Sequence, residues 1–490
     1  MPARRPLALA IIGNGMAACR LLDELVARGG HTRYEITVFG EEPGGAYNRI
    51  LLSHVLGGDQ PDSIVTKPPS WYRELGIRLV DAVAVKRLDT ARKTVETADG
   101  ARHRFDLAVL ATGSQPLVPA IDGVNTQDGN LRPGAFVYRT MDDCLRMRAH
   151  VRPGASAIVL GGGLLGLESA KVLSDAGLHV TVVHAAETLM NAQLDPMAGE
   201  MLRRKIELCG IFVRTGRTIE AVLPAVGGDG DPDGPVQAVT LDDGKTLPAD
   251  MVVLACGVRP RIDVARASGL PVNRGVVIND TLATEVPGIY AIGDCAEHRG
   301  QTYGVAAPAW EQAAVLADLL TGTGPQARYR GSKLFTRLKV AGVDVATMGT
   351  ARPELETDDV IEVVEQARSS YRKLIMRDGR LMGAMLVGNT AAAASLVQLF
   401  DRGDPMPDDP LEALCPALVG AVVDPAEKMI CNCNRVCQVT IDQAISAGCE
   451  TVEAIGVATR AGTGCGSCKD DLKRLLTRRT AVALPLAAVG

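Results

Sequence analysis

Apolar residues in the first half of the chain fall into two repeats of one pattern. Leu7 to Ile12 is an unbroken apolar run that enters Gly13-Asn-Gly15-Met-Ala-Ala18 and then CRLLDELVARGG, whose apolar positions recur at helical spacing until glycines close it. Continuous apolarity predicts a strand covered on both faces, the habit of a parallel sheet. A second strand, YEITVFG, ends at Glu41. The segment SAIVLGGGLLGLESAKVLSDAGLHVTVVH repeats the order: strand, Gly161-x-Gly163-x-x-Gly166, helix, and a strand ending at His184. FDLAVLATGSQP, MVVLACGVRP and IYAIGDCAEHRG are further apolar strands that empty into glycine-containing turns.

The later pattern differs. LKVAGVDVATMG, RKLIMRD and LMGAMLVG are strand-like runs followed by an apolar helix, which predicts a smaller α+β unit over the first two domains. DRGDPMPDDPLEALCPALVGAVVDPAEK then carries five prolines in 28 residues, the composition of a linker. Beyond it, TIDQAISAG predicts a helix with Thr440 as N-cap and Gln443 three residues on, closed by Gly448. Helices are also expected near Val452 to Arg460 and from Lys469. AVGGDGDPDGPV, near Val226 to Val236, reads as an exposed hairpin insertion.

With 490 residues the chain exceeds a single core, and its 52 glycines against 6 Phe and 2 Trp suit Gly- and Ala-rich α/β layers. A net charge of -5 gives nucleic acid and anionic lipid no basic surface, and no run reaches the roughly 18 apolar residues of a membrane helix. The basic, apolar start MPARRPLALAII has the look of a secretion signal but leads straight into the glycine turn, so it is read as the first buried strand. Twelve cysteines, six of them between Cys431 and Cys468, argue for a metal or cluster site in a reducing compartment and for a cytoplasmic location.

Two chemistries follow from these patterns. Gly13, Gly15 and Ala18 after a strand, with Glu41 at the next strand end, form a dinucleotide-binding fingerprint in which the acid accepts ribose hydroxyls. Gly161, Gly163 and Gly166 form the second. Backbone N–H groups at Thr112, Gly113, Gly293 and Asp294 lie at strand ends, where a parallel sheet binds its ligand. Any one of those turns alone would be an ordinary sheet-to-loop turn. The pairs Cys431-x-Cys433 and Cys465-x-x-Cys468 supply four thiolates, for which zinc and a [2Fe-2S] cluster are both candidates; the tight C-x-C favours the cluster. Cys437 and Cys449 form no such pair and are left outside the ligand set.

LAIIGNGMA, ITVFGEEPGGAYNRILLS, LAVLATGSQP, FVYRTMDD, VLGGGLLGLESA, LMNAQLDPMAGEMLRRKIE, GIYAIGDCA and TRLKVAGVDVATMG resemble the flavoprotein part of the NAD(P)H nitrite reductase large subunit. The C-terminal cysteine region resembles the bacterioferritin-associated-ferredoxin-like module that follows it there. The resemblance implies two interleaved Rossmann-like domains of the pyridine nucleotide-disulfide reductase type, a small α+β interface domain and a small helical [2Fe-2S] domain. The expected boundaries are 1–120 with 248–325 for FAD, 121–247 for NAD(P)H, 326–402 for the interface domain, 403–427 for the linker, 428–480 for the cluster and 481–490 for a tail. It assigns Gly13, Gly15, Ala18, Glu41, Arg49, Thr112, Gly113 and Asp294 to FAD, and Gly161, Gly163, Gly166 and Glu168 to NADH or NADPH. Glu168 positions; no side chain acts as acid or base.

Three departures shape the expected function. The nitrite reductases continue into a sirohaem domain where this chain ends, so it is expected to pass electrons on. YNRILLSHVL carries Ser53 where disulfide reductases have reactive thiols. The second fold ends in His184 where NADH-specific members usually have Glu, and HAAETLM offers neither an acid at the strand end nor an Arg, which leaves the coenzyme open. The expected route is hydride from NAD(P)H to FAD, then single electrons through the cluster to a soluble molybdenum nitrate reductase or another one-electron acceptor, with no membrane or nucleic-acid partner. The FAD/[2Fe-2S] subunit of an amine, opine or cyanide-forming dehydrogenase is the rival enzyme, and a redox-sensing or iron-handling binding protein the rival from another class.

Overall fold

The computed structural model describes residues 5–225, 231–340, 342–414, 428–431, 434, 436–464, 466 and 468–482. The chain folds into two compact units: residues 1–152, 221–238 and 249–332 form the first, and 153–220, 239–248 and 333–490 the second.

In the first unit, β1 (Leu7–Ile12), β2 (Tyr34–Phe39), β3 (Arg78–Val80) and β4 (Leu107–Leu110) join the strand Ile289–Ala291 in a five-stranded sheet. The spatial order is Ile289–Ala291, β4, β1, β2, β3, all parallel, with Ala10 opposite Thr37 on one side and Ala108 on the other. The unbroken apolarity of β1 is explained by cover on both faces: Leu9, Ile11, Val38, Val109 and Ile289 are buried. Helix α1 (Met16–Ala27) packs Leu21, Leu22 and Leu25 into the same core as Ala313, Leu316 and Ala317 of the helix Ala306–Thr321.

The second unit repeats the opening with β5 (Ser156–Leu160), α2 (Leu164–Asp175), β6 (His179–His184), α3 (Pro196–Leu208) and β7 (Phe212–Thr215), the three strands parallel. An antiparallel sheet follows, built from β8 (Phe335–Val340), β9 (Val343–Gly349), β10 (Asp359–Glu365), β11 (Ser370–Arg377) and β12 (Arg380–Val387) in the order β8-β9-β12-β11-β10. The α4 helix (Ala393–Arg402) lays Leu396 and Val397 on Leu374, Ala384 and Leu386 of that sheet. A buried polar latch joins the sheet to α3. Asp195 caps α3 by accepting from Ala198 N at 2.9 Å, and its other oxygen accepts from Tyr371 Oη at 2.7 Å and Lys373 Nζ at 2.9 Å.

Two details differ from the sequence reading. The Pro-rich stretch is packed through Leu414: α5 (Pro410–Leu414) buries Ala413 and Leu414 in the sheet's core, and Met406 N donates to Gly379 O at 2.7 Å. Residues 415–427, and 226–230 of the expected hairpin insertion, lie outside the described residues. Thr440 is not an N-cap. The hairpin of β13 (Met429–Cys431) and β14 (Val436–Cys437) delivers the chain directly into α6 (Gln438–Ser446), so Cys437 is the cap and Thr440 sits in the first turn, its Oγ1 3.2 Å from Cys437 Sγ.

Candidate cofactor sites

Gly13 and Gly15 serve different needs. Gly13 has φ +108°, and a Cβ there would lie 2.2 Å from Ala111 O, so only glycine lets β1 leave the sheet beside β4. Gly15 has an ordinary φ of −88° and, among the described residues, no protein atom within 4 Å of where a Cβ would stand and no side chain capping α1. Unclaimed N–H groups at a helix start, under open space, suit an anionic pyrophosphate. Asn14 adds to the fit: its Oδ1 accepts from Tyr72 Oη at 2.7 Å, while its buried Nδ2 has no partner among the described residues. Ala18 is buried in the core, which is the small-residue requirement of the third fingerprint position.

The other expected residues of this site are joined by two arginines that the fingerprints do not include. Arg261 pairs with Glu41, with Nη2 3.0 Å from Oε1. Arg261 N donates to Gly113 O at 2.9 Å and its carbonyl accepts from Thr112 Oγ1 at 2.7 Å, so Glu41, Thr112 and Gly113 meet through it. Arg139 Nη2 donates to Asp294 Oδ2 at 2.9 Å and to Ser114 Oγ at 2.6 Å, and Ser114 in turn donates to Asp294 at 2.7 Å. Arg49 donates to Arg139 O at 2.9 Å, pairs with Glu42, and lies over the Tyr47 ring. Gly293, at φ +79°, packs so closely on α1 that a Cβ would fall 2.8 Å from Ala17 Cβ; its N–H, expected to face the dinucleotide, is instead taken by buried Gln312 Oε1 at 2.7 Å, so its part is close packing against α1. Arg139 follows the short strand Ala135–Val137, which runs parallel to its neighbour, so the strand-end rule that found Thr112 extends to it; Arg261 follows Val258–Pro260, one arm of an antiparallel ribbon with Ser114–Pro116, and that rule does not reach it.

The second turn has the same division of labour. Gly161 has φ +125° and donates its N–H to Val183 O at 2.8 Å. Gly163 precedes α2 with no side-chain cap and, among the described residues, nothing within 4 Å of a would-be Cβ. Gly166 is buried within α2, where its carbonyl accepts from Ser169 Oγ at 2.9 Å. His184 is folded against this turn: Nδ1 accepts from Gly162 N at 3.1 Å and Nε2 faces Asn191 Oδ1 at 3.2 Å. Those partners assign the proton to Nε2 and make the ring neutral, and burial lowers its pKa. Glu168, on α2, is pushed up to about 7 by burial. Glu187 and Arg217 were not anticipated. A Cβ on Gly216 would lie 2.9 Å from Glu187 Oε1, and Arg217 N donates to His184 O at 3.1 Å, so both border the end of β6. Glu187 was visible three residues beyond His184, but nothing short of the β6–β7 register reveals Arg217.

At the C-terminal end, Cys431 and Cys468 are buried in one core with Val436, Ile441, Ile455, Ala461 and Leu472. That core is closed by α6, α7 (Val452–Thr459) and α8 (Lys469–Val482). It brings the first and last of the four expected ligands together; Cys433 and Cys465 lie outside the described residues. Two buried thiols from opposite ends of so small a core are a soft-donor set suited to a metal cluster. Cys437 and Cys449 are half-buried, and the hydrogen bond with Thr440 lowers the pKa of Cys437.

Family comparisons resolve what this arrangement is. Residues 7–313 match the model of the pyridine nucleotide-disulphide oxidoreductases, 335–404 the rubredoxin NAD+ reductase C-terminal domain, and 429–478 the BFD-like [2Fe-2S] binding domain. The chain belongs to the pyridine nucleotide-disulphide oxidoreductase family. It is similar to the nitrite reductase [NAD(P)H] of Bacillus subtilis, at 37% identity over 96% of this chain and 57% of that protein. It is also similar to the assimilatory nitrate reductase electron transfer subunit of the same species, at 33% identity over 96% of this chain and 60% of that one. The chain thus spans somewhat over half the length of these relatives. Among solved structures, a ferredoxin reductase from Rhodopseudomonas palustris superposes with a TM-score of 0.71 at 26% identity, over 83% of this chain and 96% of that chain. Membership makes this oxidoreductase an NAD(P)H-dependent FAD protein, and the third match adds a [2Fe-2S] cluster. Among the described residues no helix is long and apolar enough to cross a membrane.

Proposed function

We propose that this oxidoreductase is the electron-input subunit of a molybdenum nitrate reductase, taking electron pairs from NADH or NADPH and delivering single electrons to that partner. The observation that carries the reading is the union in one chain of two open, uncapped dinucleotide turns with a buried pair of cysteines in a [2Fe-2S] domain. Similarity over 96% of the chain to an assimilatory nitrate reductase electron transfer subunit supports the choice of partner. When bound, the flavin accepts hydride and releases electrons singly, and the cluster carries one at a time.

The chain's own residues bind and position. The N–H groups at the start of α1 would take the FAD pyrophosphate, with Glu41 and Arg261 beside its ribose and Asp294 held ready by Arg139 and Ser114. The N–H groups at the start of α2 would take the coenzyme pyrophosphate. Cys431, Cys433, Cys465 and Cys468 would hold the cluster. A thiol relay at the flavin is not part of the proposal: Ser53 stands in the helical stretch where such a thiol would be, and burial pushes Cys144, whose Sγ is 3.7 Å from Leu52 O, up to about 12.

The test is reconstitution with a molybdenum nitrate reductase, following nitrate-dependent oxidation of NADH. Turnover with nitrate supports the reading. Bleaching of the flavin by NADH and steady reduction of ferricyanide, without nitrate-dependent turnover, would overturn the choice of acceptor. The 37% identity to a nitrite reductase favours a second acceptor, a nitrite-reducing partner, and nitrite in place of nitrate in the same mixture separates the two.

A further inference from the structure

The coenzyme site lacks an obvious reader for the adenosine ribose. His184 stands at the strand end that normally supplies it, yet both ring nitrogens are engaged, Nδ1 by Gly162 N–H and Nε2 by Asn191. A neutral ring so used offers neither a carboxylate to a 2′-hydroxyl nor a positive charge to a 2′-phosphate.

A second element reaches the same strand end. β6 and β7 pair in parallel with His184 opposite Thr215, and the loops beyond them are stitched together by Gly216 N to Ala186 O at 2.9 Å and Arg217 N to His184 O at 3.1 Å. The root of Arg217 is therefore fixed at the edge of the crevice where a dinucleotide's ribose lies. Its guanidinium is not buried: the side chain is 43% exposed, with Nη1 donating to Gly216 O at 2.6 Å and Nε 3.3 Å from Asp243 Oδ2 and 3.9 Å from Asp242 Oδ1. Asp243 is shared, since Lys245 Nζ also lies 3.0 Å from it. Arg214, Arg217 and Lys245 line a cleft of about 220 Å³ with Asp243 and Thr215, the residue opposite His184. Glu187, whose carboxylate lies against Gly216, is the acid on the other side of this edge.

We propose that Arg217 is a specificity-determining residue that receives the 2′-phosphate of NADPH, giving the chain use of both coenzymes where the residue at the end of β6 selects neither. The proposal rests on the reading of residues 161–184 as the coenzyme site. A fork-shaped guanidinium held by two weak carboxylate contacts can exchange them for a dianionic phosphate monoester at small cost, and Lys245 remains to neutralise Asp243.

The test is steady-state kinetics of the FAD-loaded full-length protein with ferricyanide as acceptor. For Arg217→Ala, kcat/KM for NADPH should fall about tenfold or more, through KM, while kcat and the NADH parameters stay within about twofold. Arg217→Lys should recover part of the loss, and Asp243→Asn, which frees the guanidinium, should lower the KM for NADPH. A merely structural role would raise KM for both coenzymes alike, and that result would overturn the proposal. So would a wild-type protein that uses NADH but discriminates against NADPH by more than about a hundredfold. If neither coenzyme bleached the wild-type flavin, the coenzyme-site reading itself would fall, and the role of Arg217 with it.

Discussion

Gly15→Ala and Gly13→Ala separate what the fold needs from what the ligand needs. At Gly13 the backbone is left-handed and an added Cβ would stand 2.2 Å from Ala111 O, far inside an ordinary contact. Backbone strain of about 1–3 kcal/mol and overpacking of about 1–3 kcal/mol combine, so the cost to the fold is at least about 2 kcal/mol. At Gly15, the N-cap of α1, the φ of −88° suits any residue and no described protein atom lies within 4 Å of the new methyl, so only the poorer capping by Ala is felt and the flavin-free protein should lose no more than about 1 kcal/mol. The methyl does occupy the approach to the first N–H groups of α1. Gly15→Ala should therefore fold normally and purify with little flavin. Urea unfolding of the flavin-free proteins, together with flavin absorbance per chain and a titration with FAD, reads both quantities. Wild-type FAD affinity in Gly15→Ala would refute the assignment of that space to the pyrophosphate.

Gly163→Ala should leave flavin content unchanged and raise the KM for the pyridine nucleotide, for the same reason at the second turn; an unchanged KM would count against that site. Glu168 has its pKa raised by burial from 4.5 to about 7, so its folded form holds a proton that the unfolded form loses first. Stability should fall as pH rises from about 4.5 to 7, by at most about 3 kcal/mol, and level off above; Glu168→Gln should remove that fall, and parallel urea midpoints for variant and wild type at pH 5 and 8 would contradict it. His184→Glu can still accept from Gly162 N–H while offering an oxygen to a ribose hydroxyl, so it should raise the NADH over NADPH ratio of kcat/KM about tenfold, the worth of one charge-assisted hydrogen bond, and an unchanged ratio would show that the strand end is not read. Truncation after Leu414, which keeps the buried Ala413 and Leu414, should leave ferricyanide reduction nearly intact and abolish transfer to the partner protein.

The glycines were legible in the sequence because their causes are local. A positive φ at Gly13 or Gly161 and a bare helix start at Gly15 or Gly163 are each set by a strand entering a helix, and apolar periodicity marks both. The charged partners were not. Arg261 reaches Glu41 from a residue 220 positions away, Arg139 reaches Asp294 across 155, and only the folded sheet brings them together. The strand β10 was missed because DVIEVVE places acids at three of its seven positions, and as an edge strand it buries little. Thr440 has the residue type of a cap, but the preceding hairpin starts the helix earlier than a capping box can signal. The [2Fe-2S] domain was legible in the spacing of its cysteines, and the helices around them close the core that Cys431 and Cys468 share.

The most direct test of an electron-splitting oxidoreductase is an anaerobic titration of the full-length protein with NADH, followed by visible and electron paramagnetic resonance spectra. Flavin and cluster together should take up about three electrons per chain, so the end point falls near 1.5 equivalents of NADH, with a paramagnetic reduced cluster at the end; Cys465→Ser should stop near one equivalent with no cluster signal. A wild-type end point at one equivalent, with the cluster still oxidised beside a fully bleached flavin, would contradict electron passage through the C-terminal domain.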